Sequence, residues 1–152
     1  MQQLARQIHP DLKLSPKFCA IANAHLLRFT KFILRGMKKL FEIKDLKSNM
    51  NHEKFPEICR HFINQGDKAL TRPTKPLIYS SSFVRKVEES YKKKFTSEAA
   101  IFLAGGLEYL FDELVELSGN VASELGRVTI TDNHVEEALR SDQELLALAR
   151  TR

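Results

Sequence analysis

Two clusters of like-charged side chains are the residues in this sequence best able to do chemistry. Lys92, Lys93 and Lys94 form an uninterrupted basic run, and ammonium groups neutralise the phosphates of a polyanion. The carboxylates of the second cluster recur at helical spacing at Glu108, Asp112, Glu113 and Glu116. Taken alone, the lysine run is more often a solvated loop and the carboxylates a solvated helix face. The residue types therefore indicate two candidate binding surfaces but do not identify what binds to them.

Metal-binding and catalytic patterns are weak by comparison. Cys59 and His61 lie two residues apart with His52 nearby, but the sequence contains no CxxC pair. Gly-rich phosphate loops and nucleophile motifs are also absent from the sequence. His134 follows a predicted helix cap and is interpreted as structural. We therefore predict no enzyme, no resident metal and no cofactor.

Charge is distributed unevenly along the chain. Residues 1–76 contain fifteen Lys and Arg against six Asp and Glu, a balance of +9, whereas residues 77–152 contain nine against thirteen, a balance of −4. A basic half joined to an acidic half indicates two kinds of partner, with a polyanion for the first. The two cysteines suggest no disulfide framework and fit a reducing compartment. Neither a secretory signal nor a membrane span is expected.

The pattern is almost wholly helical and is divided by a linker at 72–82, where two prolines and three serines interrupt helix. Each side carries one long amphipathic pattern, from Ser15 to Phe41 and from Ser97 to Leu125. Ser15 can cap the first of these helices through its side-chain oxygen, and Pro16 suits the first helical position, which follows the cap. More than half of each helix surface is apolar, so two such helices must cover each other.

Shorter helical patterns flank the two long ones. They are Gln2–His9, Asn51–Thr71 (of uncertain continuity), Phe83–Tyr91, Thr131–Arg140 and Gln143–Arg150. The cap of the fourth is expected at Thr131 or Asp132. The order helix, loop, long helix, loop, helix therefore occurs twice, which predicts an all-α chain with domains at 1–76 and 77–152.

Landmarks in the second half resemble a core histone, the A-type member of the H-two pair (histone two-A below). They are LEYL at 107–110, ELVELSGN at 113–120, TITDNH at 129–134 and EEALRSDQEL at 136–145. The likeness runs without a gap from Tyr91 to about Leu148. The first half resembles the B-type partner, histone two-B, through QIHPDLKLSPK at 7–17, LKSNM at 46–50 and CRHFINQGDKALTR at 59–72. LKSNM is taken as the second loop. The chain is several residues too short between it and Cys59, so either the third helix of the histone fold or the start of the C-terminal helix is expected to be compressed.

Together the halves resemble a fused histone doublet of the kind found in marseillevirus-like giant viruses. The resemblance implies two histone folds paired as an intramolecular handshake. A linker of about ten residues holds two such folds at roughly millimolar effective concentration.

The resemblance also implies two DNA sites, each formed where the first loop of one half meets the second loop of the other. One combines Lys13, Ser15 and Lys17 with Arg127 and Thr129; the other combines Lys92, Lys93 and Lys94 with Lys47 and Ser48. Arg85 and Lys86 are a third candidate contact. Thr129 and Lys94 stand where histone two-A usually has arginine, and lysine lacks the planar fork of arginine, so we expect salt-sensitive DNA wrapping.

An acidic patch for arginine-anchored chromatin proteins is the second surface that the resemblance implies. Its members are Glu57, Glu108, Glu113, Glu116, Asp142 and Glu144, with Gln143 and Gln65 in place of two usual carboxylates. We therefore expect weaker binding of such partners than the full set of charges would give.

The implied function is sequence-independent packaging of double-stranded DNA with partners resembling histones three and four. The host nucleus or viral factory, and the virion, are the expected locations. No basic tail precedes Gln2 and no docking extension follows Arg152, so a loosely held dimer is expected. Two alternatives stay open, a transcription-factor-type histone-fold pair that reads specific DNA and a helical interaction module that binds none.

Overall fold

Helices dominate the protein. The computed structural model describes residues 2–37, 41–78 and 81–151. In chain order the elements are α1 (Gln2–Ile8), β1 (Lys13–Leu14), α2 (Pro16–Leu34), α3 (Ile43–Asn49), α4 (Pro56–Thr71), α5 (Ser81–Tyr91), α6 (Ser97–Glu124), β2 (Thr129–Ile130), α7 (Asp132–Arg140) and α8 (Gln143–Ala149). Within these three ranges, no helix is long and apolar enough to cross a membrane.

The chain packs as two compact units that each draw on both halves of the sequence. Unit 1 comprises Met1–Phe29 and Leu110–Arg152, and unit 2 comprises Thr30–Tyr109. Each unit therefore combines segments from 1–76 with segments from 77–152. The long helices α2 and α6 each contribute residues to both units.

Unit 1 is built around apolar side chains of α2 and α6. Phe18 and Phe111 pack edge to face with ring centroids 6.5 Å apart, and both are fully buried. β1 and β2 pair in parallel, with Lys13 opposite Thr129 and Leu14 opposite Ile130. Other buried members of unit 1 are Leu26, Phe29, Leu110, Leu114, Val115, Val135, Leu139, Leu145 and Leu148.

In unit 2, three glycines allow α4 to approach α6 closely. A Cβ added at Gly105 would lie 2.6 Å from Cβ of Ala69 and 2.9 Å from the carbonyl oxygen of Gln65. An added Cβ at Gly66 would overlap the Phe102 ring, and one at Gly106 the Phe62 ring. The two phenylalanine rings pack edge to face at 6.1 Å. Small residues at these positions are thus needed for the packing of the two helices.

Most predicted helices are confirmed to within two residues. Ser15 caps α2, because its Oγ accepts a hydrogen bond from the N–H of Phe18 at 3.0 Å. The second long helix ends one residue before its predicted end, at Glu124. Thr131 is the N-cap of α7, and Nδ1 of His134 accepts from the N–H of Thr131 at 3.0 Å. This contact confirms a structural role for His134.

The predicted extent of the first long helix was wrong. α2 ends at Leu34 instead of continuing toward Phe41, and Gly36 follows with φ of +78°. A left-handed glycine directly after the last turn ends a helix at low cost, because glycine has no Cβ to clash. Lys38, Lys39 and Leu40 lie outside the described residues.

The placement of the second loop of the first half at LKSNM was also wrong. Residues 46–49 belong to α3, which begins at Ile43. A separate loop, 50–55, then leads to α4 at Pro56, a residue suited to the first helical position. The compression expected between Met50 and Cys59 is therefore a mistaken inference, since the third helix precedes Met50.

Candidate nucleic-acid interface

In unit 1 the structure brings together the first predicted phosphate-binding set. The N–H of Lys13 donates to the carbonyl oxygen of Val128 and the N–H of Ser15 to that of Ile130, each at 2.9 Å. This strand pairing places Lys13 opposite Thr129. Lys13 and Lys17 are exposed, whereas the Ser15 hydroxyl is engaged in capping α2. The result is a basic surface on two backbone segments that are held together by hydrogen bonds.

Arg127 reaches this surface because of the way α6 ends. Gly126 has φ of +67°, its N–H donates to Ser123, and the N–H of Arg127 donates to Ala122 at 2.8 Å. This is the Schellman arrangement, which turns the chain sharply after a helix. The exposed Arg127 side chain then lies two residues before Thr129. The role of Gly126 was missed from the sequence, although a glycine just after a helical pattern is a standard stop signal.

In unit 2, segments of the two halves also pair, at a single bridge. The two places where segments of the two halves pair are called the crossings below. The N–H of Phe41 donates to the carbonyl oxygen of Lys94 at 3.0 Å, and the N–H of Thr96 donates to that of Phe41 at 3.1 Å. Phe41 and Phe95 form a parallel bridge with ring centroids 4.6 Å apart. Phe41 is fully buried and also packs edge to face on Tyr91. An aromatic cluster therefore anchors the lysine run.

The lysine run itself follows the end of α5. Lys92 has φ of +52°, and the N–H of Lys93 donates to the carbonyl oxygen of Glu88 at 3.2 Å. Lysines here interact favourably with the negative end of the helix dipole. They line an open cavity together with Arg85, Glu88 and Glu89. Arg85 pairs with Glu89 at 3.7 Å, and its neighbour Lys86 is exposed.

Lys47 and Ser48 occupy a different setting from the one predicted. Both lie on α3, where Nζ of Lys47 pairs with a carboxylate oxygen of Asp67 at 2.9 Å. The Ser48 hydroxyl donates back to the carbonyl oxygen of Lys44 at 2.9 Å. Lys94 makes its backbone contact with Phe41 instead. The sequence pattern concealed Phe41 because an apolar residue after a basic run looks like helix continuation.

The predicted carboxylates of unit 1 lie on α6 and around α8. Glu113 and Glu116 are one helical turn apart, and Glu116 is exposed. Asp142 caps α8, since its Oδ1 accepts from the N–H of Leu145 at 2.9 Å. Glu144 follows in the first turn of α8 and is half-buried. Acidic groups at this helix start also complement the dipole.

The two carboxylates predicted in unit 2 are both paired within the chain. Glu57 lies 2.6 Å from Nη2 of Arg60 and 3.6 Å from Nε2 of His61. The hydrogen bond and charge of Arg60 hold the pKa of the exposed Glu57 carboxyl below its usual value. Glu108 is buried rather than exposed, and it accepts hydrogen bonds from the N–H groups of Leu77 and Ile78. The helical arc of α6 indicates an exposed position for Glu108, whereas in the structure the linker covers that part of the arc.

His25 is a buried titratable group of unit 1 that lies outside both surfaces. Its Nδ1 has no hydrogen-bond partner among the described residues, and its ring stacks on Phe29 at 6.1 Å. Burial, and then the positive charge of Arg28, lower the pKa of His25, while Glu136 opposes the shift. Arg28 donates to the carbonyl oxygen of Ala149 at the end of α8.

Comparison with known proteins points to one family. The family model for the core histone domain, which covers histones two-A, two-B, three and four, matches residues 63–141, just over half of the chain. The histone two-A variant Z of Eremothecium gossypii is 46% identical over 59 residues, which are 39% of this chain and 44% of that protein. The mouse (Mus musculus) histone two-A of the Bbd type 1 is 40% identical over 58 residues, 38% of this chain and 52% of that protein.

A longer match reaches a plant protein. A probable histone two-A of Arabidopsis thaliana is 35% identical over 86 residues, 53% of this chain and 64% of that protein. This chain spans about half the length of the curated relatives that it matches.

Proposed function

This chain belongs to the core histone family, and we propose that it is a DNA-packaging histone doublet. Proteins of this family are structural and not enzymatic. In the proposal residues 1–76 are a histone two-B-like fold and residues 77–152 a histone two-A-like fold, paired as a handshake. The kinship with doublets of giant viruses is part of the proposal and rests on the order of the two halves.

The observation that carries the proposal is the strand pair between Lys13–Leu14 and Thr129–Ile130. It joins the segment before the long helix of one half to the segment after the long helix of the other. The bridge between Phe41 and Phe95 supports the same interpretation in unit 2, with the roles of the halves exchanged. Two folds that lay side by side would have no reason to exchange segments in this reciprocal way.

DNA is proposed to contact the basic groups at these two crossings. In unit 1 these are the exposed side chains of Lys13, Lys17 and Arg127. In unit 2 they are Lys92, Lys93 and Lys94, with Arg85 and Lys86 as an additional contact. Histone octamers bind DNA through phosphates and the minor groove without base-specific contacts. Sequence-independent binding is therefore expected.

Partners resembling histones three and four, and the location in a nucleus, viral factory or virion, follow from the family as further parts of the proposal. Arginine-anchored chromatin proteins are proposed for Glu113, Glu116, Asp142 and Glu144. The carboxylates of Glu57 and Glu108 are engaged by arginines of this chain.

Reconstitution tests the proposal. The chain is mixed with a tetramer of histones three and four on random DNA and digested with nuclease. We expect a protected length near or below the ~147 base pairs of a full histone wrap. Affinity should fall steeply with salt. Absence of protection together with a flat salt response indicates a helical interaction module, and a strong preference for one sequence indicates a transcription-factor-type pair.

A further inference from the structure

Glu108 holds the segment that follows α4. Its Oε1 accepts from two consecutive backbone N–H groups, those of Leu77 and Ile78, the second at 3.3 Å. Its Oε2 lies 3.8 Å from Nη2 of Arg72. All three contacts come from residues 72–78, here named the linker strap. Because a carboxylate is an acceptor with about four lone-pair sites, the strap occupies much of its capacity.

Burial makes this contact more than a surface pair. The Glu108 residue is 7% exposed, and a charged carboxylate at such a position needs donors that replace water. The strap supplies these donors from backbone and side chain together. Its outer part stays open to solvent: the Arg72 side chain is 42% exposed and Leu77 is 48% exposed. Pro76 is the buried residue of the strap, so displacement of the strap uncovers Pro76 as well as the Glu108 carboxylate.

The chemistry of the strap defines the ligand that this site accepts. A guanidinium faces one carboxylate oxygen, while two consecutive N–H groups of the turn at Leu77 and Ile78 donate to the other. An arginine-bearing peptide segment carries the same groups. The second unit 2 carboxylate, Glu57, is likewise met by an arginine of this chain, Arg60 at 2.6 Å. Glu57 and Glu108 are thus each paired with an arginine of the same chain.

We infer that the linker strap occupies Glu108 in cis and competes there with arginine-bearing peptide segments of other proteins. This inference rests on the proposed function, in which the carboxylates of this chain receive arginine anchors. An external segment competes with Arg72 and gains access to Glu108 only when the strap leaves. The linker thereby joins the two halves and also closes one binding position.

Strap opening tests the inference in the full chain. A protease recognition sequence is inserted between Thr74 and Lys75, and the folded protein is cleaved. The probe is a fluorescent nonapeptide with one arginine, and the reference probe carries citrulline instead. Cleavage combined with Arg72→Ala is expected to strengthen binding of the arginine peptide by about five-fold or more. Glu108→Gln in the opened chain should abolish the gain, and the citrulline peptide should show none.

A matched control is Arg140→Ala, which removes an exposed arginine paired with Glu137 at 3.4 Å. It should leave peptide binding unchanged. Should the opened chain unfold, the intact Arg72→Ala and Arg72→Lys variants decide, because lysine retains the competing charge. Tighter binding by the alanine variant alone supports the inference. Equal affinity of all variants within about two-fold, or a gain that survives Glu108→Gln, overturns it.

DNA binding of the same proteins separates this inference from the proposed function. Salt-dependent affinity for random DNA should be the same with the strap intact or open, since Glu108 lies outside the proposed DNA contacts. Loss of all DNA binding in the unaltered chain defeats the proposed function, whatever the peptide does. Normal DNA binding, together with a peptide affinity that does not change when the strap is opened, contradicts only the inferred occupation of Glu108 by the strap.

Discussion

The two crossings each join a segment of the first half of the chain to a segment of the second half, but they do so by different contacts. In unit 1, two backbone segments pair as short strands, and exposed basic side chains come from both of them. In unit 2, one buried aromatic residue, Phe41, forms the bridge with Phe95, and the basic side chains that line the nearby cavity come from residues 85–94. Backbone pairing leaves side chains available for a ligand, whereas an aromatic anchor commits its side chain to stability.

The largest expected effect is on the stability of the unit 2 crossing. Phe41→Ala removes a fully buried ring that contacts Phe95 and Tyr91, and should destabilise the protein by about 3–5 kcal/mol. Thr129→Ala, at the unit 1 crossing, should cost less than about 1 kcal/mol, because the strands pair through the backbone carbonyls of Val128 and Ile130 and not through the Thr129 side chain. Urea unfolding of both variants measures the contrast, and equal losses would contradict it.

DNA affinity should show the opposite emphasis. Replacing Lys13, Lys17 and Arg127 together by alanine should weaken binding on the order of 100-fold at about 0.15 M salt and lower the salt slope by about 3. The corresponding triple change at Lys92, Lys93 and Lys94 should have a smaller effect, because Glu88 and Glu89 line the same cavity. Salt titrations of fluorescence anisotropy compare the two sets. A larger loss from the unit 2 set would reverse the proposed ranking.

The glycine contact between α4 and α6 provides a third comparison. Gly105→Ala should destabilise the protein by about 1–3 kcal/mol, since its Cβ would overlap Ala69 and the backbone of Gln65. Gly126→Ala in unit 1 should cost about 1 kcal/mol for a different reason, the positive φ in open space. Gly126→Asn distinguishes the two causes, because asparagine tolerates the left-handed region. Thermal unfolding that showed no recovery with asparagine would argue against backbone strain at Gly126.

The smallest expected effect concerns pH. The pKa of His25 is lowered in the folded protein, so the unfolded chain binds more protons just below pH 6.5. Its contribution to stability should therefore be complete above the ordinary histidine pKa and should fall as pH decreases through 6.5. His25→Phe should flatten the curve between about pH 7.5 and 5.5, measured by urea unfolding. Identical slopes for both proteins would assign the pH dependence to other groups.

Sequence patterns predicted most of the fold because helix signals are local. The apolar spacing of 97–124, the Ser15–Pro16 cap and the proline-rich break after Arg72 each depend on neighbours within a turn or two. The same locality explains the failures. Nothing in the pattern of 35–41 outweighed its helical periodicity, although Gly36 ends α2 there. LKSNM matched a loop by residue type, but its first four residues are helical.

The candidate sites divide along the same line. Lys13, Lys17 and Arg127 could be nominated from type, spacing and family resemblance, and the structure places them on one crossing. Phe41 could not, because its role depends on Phe95, fifty-four residues away in sequence. Glu108 lies on the same arc of α6 as the other predicted carboxylates, but it is buried.

The sequence by itself determined the helical class, the charge asymmetry and the histone resemblance, since periodicity, composition and motif spacing are properties of the chain read in order. Only the tertiary structure decided which charges remain available. Burial of Glu108 beneath the strap, engagement of Lys47 by Asp67 and the pairing of Lys13 with Thr129 all join distant positions. Such contacts depend on which surfaces meet after folding, and that information is not contained in local spacing.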